Sequence, residues 1–493
     1  MMRSILMIWF AMCAVVPAQP SADQNTMEPI ISALRSQHFD EALSAAKSAL
    51  KAHPLDYRVW TLEGMALAGK ADNPSALAAF RRALTIAPDY NPALKAEARL
   101  LFQSGDKQAI AVLRKLIALD PSDKTAQEML AISSARQNEC KSSLQEFAPL
   151  DETIQSHPES LQWYGYCLTQ EKEFSAAASV FARLVELVPN ELEPRFDLAL
   201  VQTMANQNTN AIQTLQPLIT SHSPNVDALT LAAEAYEEAG ETPKAVSMLR
   251  QAIDLDADNA DLYVRFAGLC LSHDSFQVGL DVVNVGLRRI PKNASLYVAR
   301  GLLYGQTGEY SNAESDLQTA EKLNPAVTAS SFALAATAMQ HGDLDQALKT
   351  VREQLKRHPN DPGLHYMLAK ILVDQGAKFG SSEFQEAMKS ASMAVRTKPD
   401  FVPGHDLLAS LYLDAGKSDL ATEQCRISLA ADPSDQSALY HLIAALRSSG
   451  NRIEVQDLVK KLLALQRKTS QQPTARERYK IMERPPKDGD NDH

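Results

Sequence analysis

The 493-residue chain contains no glycine-rich phosphate loop, no HExxH, no GxSxG and no CxxC. Those gaps remove the usual sequence routes to nucleotide binding, zinc hydrolysis, serine hydrolysis and dithiol redox chemistry. The eleven histidines are scattered, and the acidic residues supply no convergent acid/base pair. No basic stripe interrupts a formal net charge of −11 that is spread along the chain, which argues against nucleic acid as a partner. No Gly/Ser- or Pro-rich break longer than a turn occurs before residue 466, so no linker divides the chain. Beyond the N-terminus no apolar run is long enough to cross a bilayer. The expectation is a chain that is not an enzyme and needs neither cofactor nor metal.

What is present is periodicity. Pro54, Pro88, Pro121, Pro158, Pro189, Pro224, Pro291, Pro325, Pro359, Pro399 and Pro433 each close an alanine-rich helical stretch. Their intervals run from 31 to 40 residues, with a single 67 in which Ala257 takes the missing place. A stop signal at this period marks a supersecondary unit that buries its apolar face only against the next copy. Within one unit, Gly301, Tyr304, Gly308, Ala313, Ala320 and Pro325 hold fixed offsets. Trp60, Gly64, Ala76, Phe80, Ala83 and Pro88 repeat the pattern, as do Tyr236, Gly240, Ala245 and Ala252, and Tyr412, Gly416, Ala421 and Pro433. The small residues let two helix axes approach while the aromatic fills the adjacent gap. Gly240, Gly308 and Gly416 stand where a helix commonly ends on a residue of positive φ.

These offsets resemble the tetratricopeptide repeat over roughly Met27 to Gln466. The resemblance implies an all-α fold, an α-solenoid of about 12 helix-turn-helix repeats coiled as a right-handed superhelix. The fit is uneven: Ala126 to Pro158 lacks the glycine and aromatic offsets, Gly279 and Gly286 replace expected alanines, and about six extra residues enter between Gly376 and Ala387. His365 and His405 occupy equivalent places in their units, which invites a metal site; that offset holds Trp60, Tyr263 and Tyr297 elsewhere, so a packing role is expected.

The two ends differ from the array. Arg3, the apolar run Ser4–Val16 and the small-residue exit Val16-Pro17-Ala18 have the layout of a secretory signal peptide over residues 1–18. Export to the periplasm or outside the cell is therefore expected, with a solenoid over residues 19–466. Cys13 lacks the small preceding residue usual at a lipidated cysteine. Residues 467–493 are polar and carry too little apolar surface to offset the entropy of ordering, so a disordered tail is expected. Asp488, Asp490 and Asp492 superficially resemble a calcium loop but lack its distal glutamate.

Cys140, Cys167, Cys270 and Cys425 remain after signal removal, an even count that invites pairing in an oxidising compartment. In a stacked array Cys140 and Cys167 are neighbours and form the candidate disulfide. The alternative is that all four simply fill the core.

The resemblance also implies that the first helix of each unit lines a concave groove. Carried over position by position, that groove presents Tyr166, Phe196, Leu200, Met204, Glu234, Glu237, Glu238, Phe332, Met339 and Tyr366. Such an apolar surface with acidic margins suits a protein or peptide partner that is extended or helical and carries apolar anchors and positive charge. The competing reading is that these side chains are partly packed and bind nothing. The carboxylate clamp of chaperone-binding relatives is missing, since Val298, Leu302, Phe332 and Ala336 hold its positions. The asparagine ladder of glycosyltransferase relatives is replaced by Leu62, Trp163, Leu231, Ala299 and Met367. Two roles are open: a scaffold for envelope assembly, export or pilus biogenesis, and an accessory subunit presenting a substrate to a separate enzyme.

Overall fold

A computed structural model describes residues 24–221, 223–324, 329–340, 342–448, 450, 452–470 and 480–482. The expected signal peptide, Cys13, Pro325 and the aspartates of the tail lie outside the described residues. Among those described there are helices and no strand, and no helix is long and apolar enough to cross a membrane.

Chain contacts divide the molecule into two compact units, Met1–Gln216 and Pro217–His493. The first contains the pairs α1 (Gln24–Arg35) and α2 (Phe39–Ala52), α3 (Tyr57–Gly69) and α4 (Asn73–Ile86), and α5 (Asn91–Gln103) and α6 (Gln108–Leu119). These are followed by α7 (Lys124–Arg136) with the broken partner α8 (Cys140–Phe147) and α9 (Asp151–Ile154). Then come α10 (Pro158–Gln170) with α11 (Phe174–Leu187), and α12 (Glu193–Met204) with α13 (Asn208–Ile219), whose last turn crosses the division.

The second unit opens with α14 (Val226–Glu238) and α15 (Thr242–Leu255), α16 (Ala260–Ser272) and α17 (Phe276–Arg289), and α18 (Ala294–Thr307) and α19 (Tyr310–Leu323). It continues through α20 (Ala329–Gln340) and α21 (Leu344–Arg357), and α22 (Pro362–Asp374) and α23 (Ser382–Thr397). The last pairs are α24 (Val402–Asp414) with α25 (Ser418–Ala431), and α26 (Gln436–Ser448) with α27 (Arg452–Ser470). The expected α-solenoid is present, and the described residues form thirteen helical pairs where about 12 were expected. Its last helix runs to Ser470, beyond the expected limit at 466.

Local sequence explains where helices begin and end. Asp56, Asp123, Asn225, Asn293 and Asp361 each accept a backbone N–H of the following first turn, a cap worth about 1 kcal/mol. First helices end on a left-handed residue. Gly240, Gly308 and Gly416 have φ of 76°, 80° and 70°, as expected; Ala71, Asn138, Lys172 and Asp274 adopt the same conformation at 61°, 62°, 64° and 50° with a Cβ in place. The prolines close second helices as anticipated, with one exception: Pro158 is the first residue of α10. Pro suits that place because its missing N–H would have no helical partner. The break in the preceding second helix comes from Pro149, inside a 3-10 turn at Ala148–Leu150. Phe147, Leu150 and Ile154 are nevertheless fully buried, so the broken helix still fills its place in the core.

Packing within a pair follows the small-large pattern. A Cβ added at Gly64 would stand 2.4 Å from the Phe80 ring, and one at Gly165 would stand 2.7 Å from Phe181. In α17 the pattern is inverted: Gly279 and Gly286 accommodate Leu303 and Tyr263, which accounts for glycine where alanine was expected.

In several repeats a hydrogen bond ties the second-helix end to the next first helix. Trp60 Nε1 donates to Pro54 O at 2.9 Å, Gln127 Nε2 to Pro121 O at 2.8 Å, and Tyr263 Oη to Ala257 O at 2.8 Å. His365 Nε2 and His405 Nε2 pair with the carbonyls of Pro359 and Pro399, both at 2.9 Å. Each donor lies six residues after a carbonyl that the helix end leaves without an intrahelical partner. The two histidines are donors at the packing position, and no metal-ligand cluster occurs among the described residues.

Candidate binding grooves

In several neighbouring repeats the first helices touch one another: α3 touches α5 in the first unit, and α16 touches α18 and α18 touches α20 in the second. Among the described residues no contact of comparable extent joins two second helices. Within each unit the first-helix face is thus the closed layer, and clefts on it lie between neighbouring first helices.

In the second unit two clefts adjoin. One, of about 240 Å³, lies between α14 and α16 and is lined by Thr230, Glu234, Glu237, Arg265, Gly268 and Ser272. The other, of about 220 Å³, lies between α16 and α18 and is apolar, with Val264, Gly268, Leu271, Val298 and Leu302 in its wall. Gly268 borders both, and a Cβ built there meets no atom within 4 Å. It sits one residue beyond the offset occupied by Gly64, Gly165 and Gly301. One residue turns the side-chain direction by about 100°, away from the partner helix and into the cleft. Sequence reasoning missed this position; the signal was a glycine inside a first helix but outside the packing offset.

The acidic trio does not act together. Glu234 and Glu237 line the first cleft, whereas Glu238 is exposed at the end of α14 and lines neither. Glu237 is not free either: its Oε1 pairs with His273 Nε2 at 2.6 Å and its Oε2 accepts from Thr242 Oγ1 at 2.8 Å. Arg265 in the same wall is bound to Asp261 at 2.6 Å, so the cleft carries both signs of charge. Farther along, Phe332 is 39% exposed beside Gly363, and Met339 is half-buried. Tyr366 stacks edge-on against Phe401 at 5.6 Å and packs on the core, and burial raises its phenol pKa. It reads as a packing residue.

In the first unit, Phe196 and Leu200 are half-buried and Met204 is 47% exposed, spaced by four along α12 and hence on one face. Tyr166 lies edge-on to Trp163 at 5.7 Å and its Oη donates to Asn138 Oδ1 at 3.2 Å. The larger clefts of this unit involve none of these. One of about 650 Å³ between α3 and α5 is lined by Met65, Asn91, Lys95, Arg99, Leu100 and Gln103. Arg99 also borders a second cleft toward α7 and α10. Basic residues on this face were not anticipated.

Cys140 and Cys167 are both buried, with Cα atoms 4.9 Å apart and their sulfurs in bonding contact. Cys270 and Cys425 are buried thiols whose pKa burial pushes up to about 12.

Comparison with known proteins decides the family. Residues 13–161 match the family model for the cytochrome c-type biogenesis protein H TPR domain, and residues 196–260 and 306–371 match two further tetratricopeptide repeat models. The chain is a tetratricopeptide repeat protein. It is 27% identical over 277 residues to "Cellulose synthase 2 operon protein C" of Komagataeibacter xylinus, covering 52% of this chain and 21% of that one. It is 20% identical over 432 residues to "Superkiller complex protein 3" of Homo sapiens, covering 83% of this chain and 27% of that one. The matched region thus spans only about a fifth to a quarter of these relatives' length. Among solved structures, yeast Tom70 aligns over 90% of this repeat chain and 96% of its own at 15% identity, with a TM-score of 0.43.

Proposed function

We propose that this repeat protein is a non-catalytic protein–protein interaction scaffold that works outside the cytoplasm and holds an extended or helical segment of another protein on its first-helix face. The observation that carries the proposal is the pair of adjoining clefts at Gly268. They offer an apolar wall on one side and the exposed carboxylate of Glu234 on the other. A segment with an apolar anchor followed by a cationic side chain matches that order. Export is supported by the basic-then-apolar N-terminal pattern and by the closeness of Cys140 and Cys167, an arrangement suited to an oxidising compartment. A role in envelope assembly or export, including polysaccharide export, is supported by the cellulose synthase operon and cytochrome c biogenesis names of its matches. The operon name equally suits the second role, an accessory subunit that presents a substrate to a separate enzyme.

The test is partner capture from the envelope fraction of the native host by wild type, by Gly268→Leu, and by an outer-face control, Lys349→Ala. Gly268→Leu projects an apolar side chain at the border of both clefts without meeting a neighbour at its Cβ and should abolish the specific bands, while the control retains them. Equal capture by wild type and Gly268→Leu would refute the groove. The mature protein should begin near Gln19; a chain starting at Met1 in the cytosol would remove export.

A further inference from the structure

Lys480, Ile481 and Met482, within the tail expected to be disordered, are seated against the second unit more than two hundred residues back in sequence. Ile481 is only 4% exposed. Its N–H donates to Ser275 Oγ at 2.9 Å, and the Arg250 guanidinium donates to Met482 O at 2.5 Å. Lys480 Nζ donates to the carbonyls of His273 and Asp274 at 3.3 and 3.2 Å, with the Asp274 carboxylate 3.7 Å away. The seat lies between α15, which carries Arg250, and the turn that opens α17. These are second helices, which do not close on one another as first helices do.

We propose that this slot is a peptide-binding site for a Lys–aliphatic segment and that the chain's own residues 480–482 are its occupant. Three features make it a reader of that chemistry. An ammonium satisfies the backbone carbonyls at the C-terminus of α16, where the helix dipole favours a cation. An aliphatic side chain is buried at the next position. The main chain on either side of it is held by Ser275 and Arg250, which fix the direction of the segment. Met482 is 69% exposed, so the third side chain is not read. Ten residue steps from Ser470 to Lys480 reach at most about 36 Å, which keeps the segment at an effective concentration on the order of millimolar. A contact of a few hydrogen bonds then stays mostly closed, and any partner with a Lys–aliphatic segment must displace the tail to enter. This site shares no lining residue with the first-helix clefts, although His273, whose carbonyl holds Lys480, pairs with Glu237 of the first of them.

The experiment is native-state digestion of the full chain with a lysine-specific endoproteinase, which spares Arg476 and Arg478 of the tether, following scission of the Lys480–Ile481 bond by mass spectrometry. Cleavage tracks the open population when closing is fast, so docking should slow it well below the rate in a synthetic peptide of residues 474–487. Arg250→Ala and Ser275→Ala each leave the cleaved sequence intact and should raise the rate roughly tenfold. The Ser275 side chain makes no cap bond to α17, though its hydroxyl also donates to His273 O at 3.1 Å; Arg250→Ala, which leaves that bond in place, separates loss of docking from a change in the turn. The proposal is overturned if the wild-type bond is cut as fast as the peptide, or if neither variant changes the rate. It is also overturned if protection disappears on dilution together with a dimeric mass, since the occupant would then be a second copy.

Discussion

The same substitution at two glycines should have opposite consequences. Gly64 and Gly268 both lie inside first helices, so replacing either by alanine gains the same helix-propensity term of about 0.5–1 kcal/mol. The difference between the two variants therefore isolates packing. At Gly268 the new Cβ meets no atom within 4 Å, so the propensity gain should be realised in full. At Gly64 it would stand 2.4 to 3.0 Å from three atoms of the Phe80 ring, which is 1% exposed. Overpacking of that kind costs about 1–3 kcal/mol. A repeat array does not unfold in one step, so a single melting temperature would blur the comparison. Native-state hydrogen exchange reads each repeat separately. Amides of α16 and α17 should exchange a few-fold more slowly in Gly268→Ala. Those of α3 and α4 should exchange faster in Gly64→Ala, the two variants differing by about five- to 150-fold. Shifts of the same sign at both sites would mean that the pairing register is misplaced, and the groove assignment of Gly268 would fall with it.

Ala71 ends α3 at φ 61°, so Ala71→Gly should stabilise its repeat by about 1 kcal/mol, read as slower exchange in α3; faster exchange would contradict the strain at that turn. Non-reducing peptide mapping should recover Cys140 linked to Cys167, closing a loop that the chain-entropy model values at roughly 3 kcal/mol. Iodoacetamide at pH 8 should leave Cys270 and Cys425 unlabelled until the chain is unfolded, because burial pushes both thiols up to about 12. Burial holds the Glu63 carboxyl above its ordinary range, the Lys47 charge opposing it only in part, and Glu63 Oε2 has no hydrogen-bond partner. A raised folded-state pKa destabilises the fold as pH rises through that value. Glu63→Gln should therefore stabilise the first unit at pH 7, and the advantage should vanish below about pH 4; a constant gain across pH would refute the burial argument.

The fold was readable because its determinants are local and repeated. Gly64 against Phe80, Gly308 at φ 80° and the prolines after α2, α4 and α17 each act over a few residues, and a mistake in one copy is outvoted by the others. The site was readable only in part because a groove position depends on direction as well as offset. Phe196, Leu200 and Met204 were placed in the groove by the resemblance, position by position, and their spacing of four along α12 does put them on one face. Gly268 differs from a packing glycine by a single residue, and no rule based on composition separates the two. Glu237 was assigned to the groove as a partner-facing carboxylate, yet it is captured by His273 and Thr242 from the next helices, pairings that only the folded stacking creates. The tail was judged by its average polarity, which hides one isoleucine that finds a slot.

The histidines show why an offset can be right while the residue type misleads. Trp60, Gln127, Tyr263, Tyr297, His365 and His405 share neither size, aromaticity nor charge. What they share is a polar hydrogen at a reach that meets the carbonyl six residues earlier. The recurring requirement is thus a donor, and an imidazole meets it only by carrying its proton on Nε2. That assignment takes Nε2 away from any metal. At His405 the remaining nitrogen, Nδ1, is already 2.7 Å from the Gln424 side chain. Two histidines one repeat apart therefore resemble a ligand pair in sequence while each is occupied in joining its own helix to the one before. The same logic accounts for Gln127, which keeps the joint intact in the repeat whose second helix is broken at Pro149: the fold tolerates loss of the aromatic there because it retains the hydrogen bond.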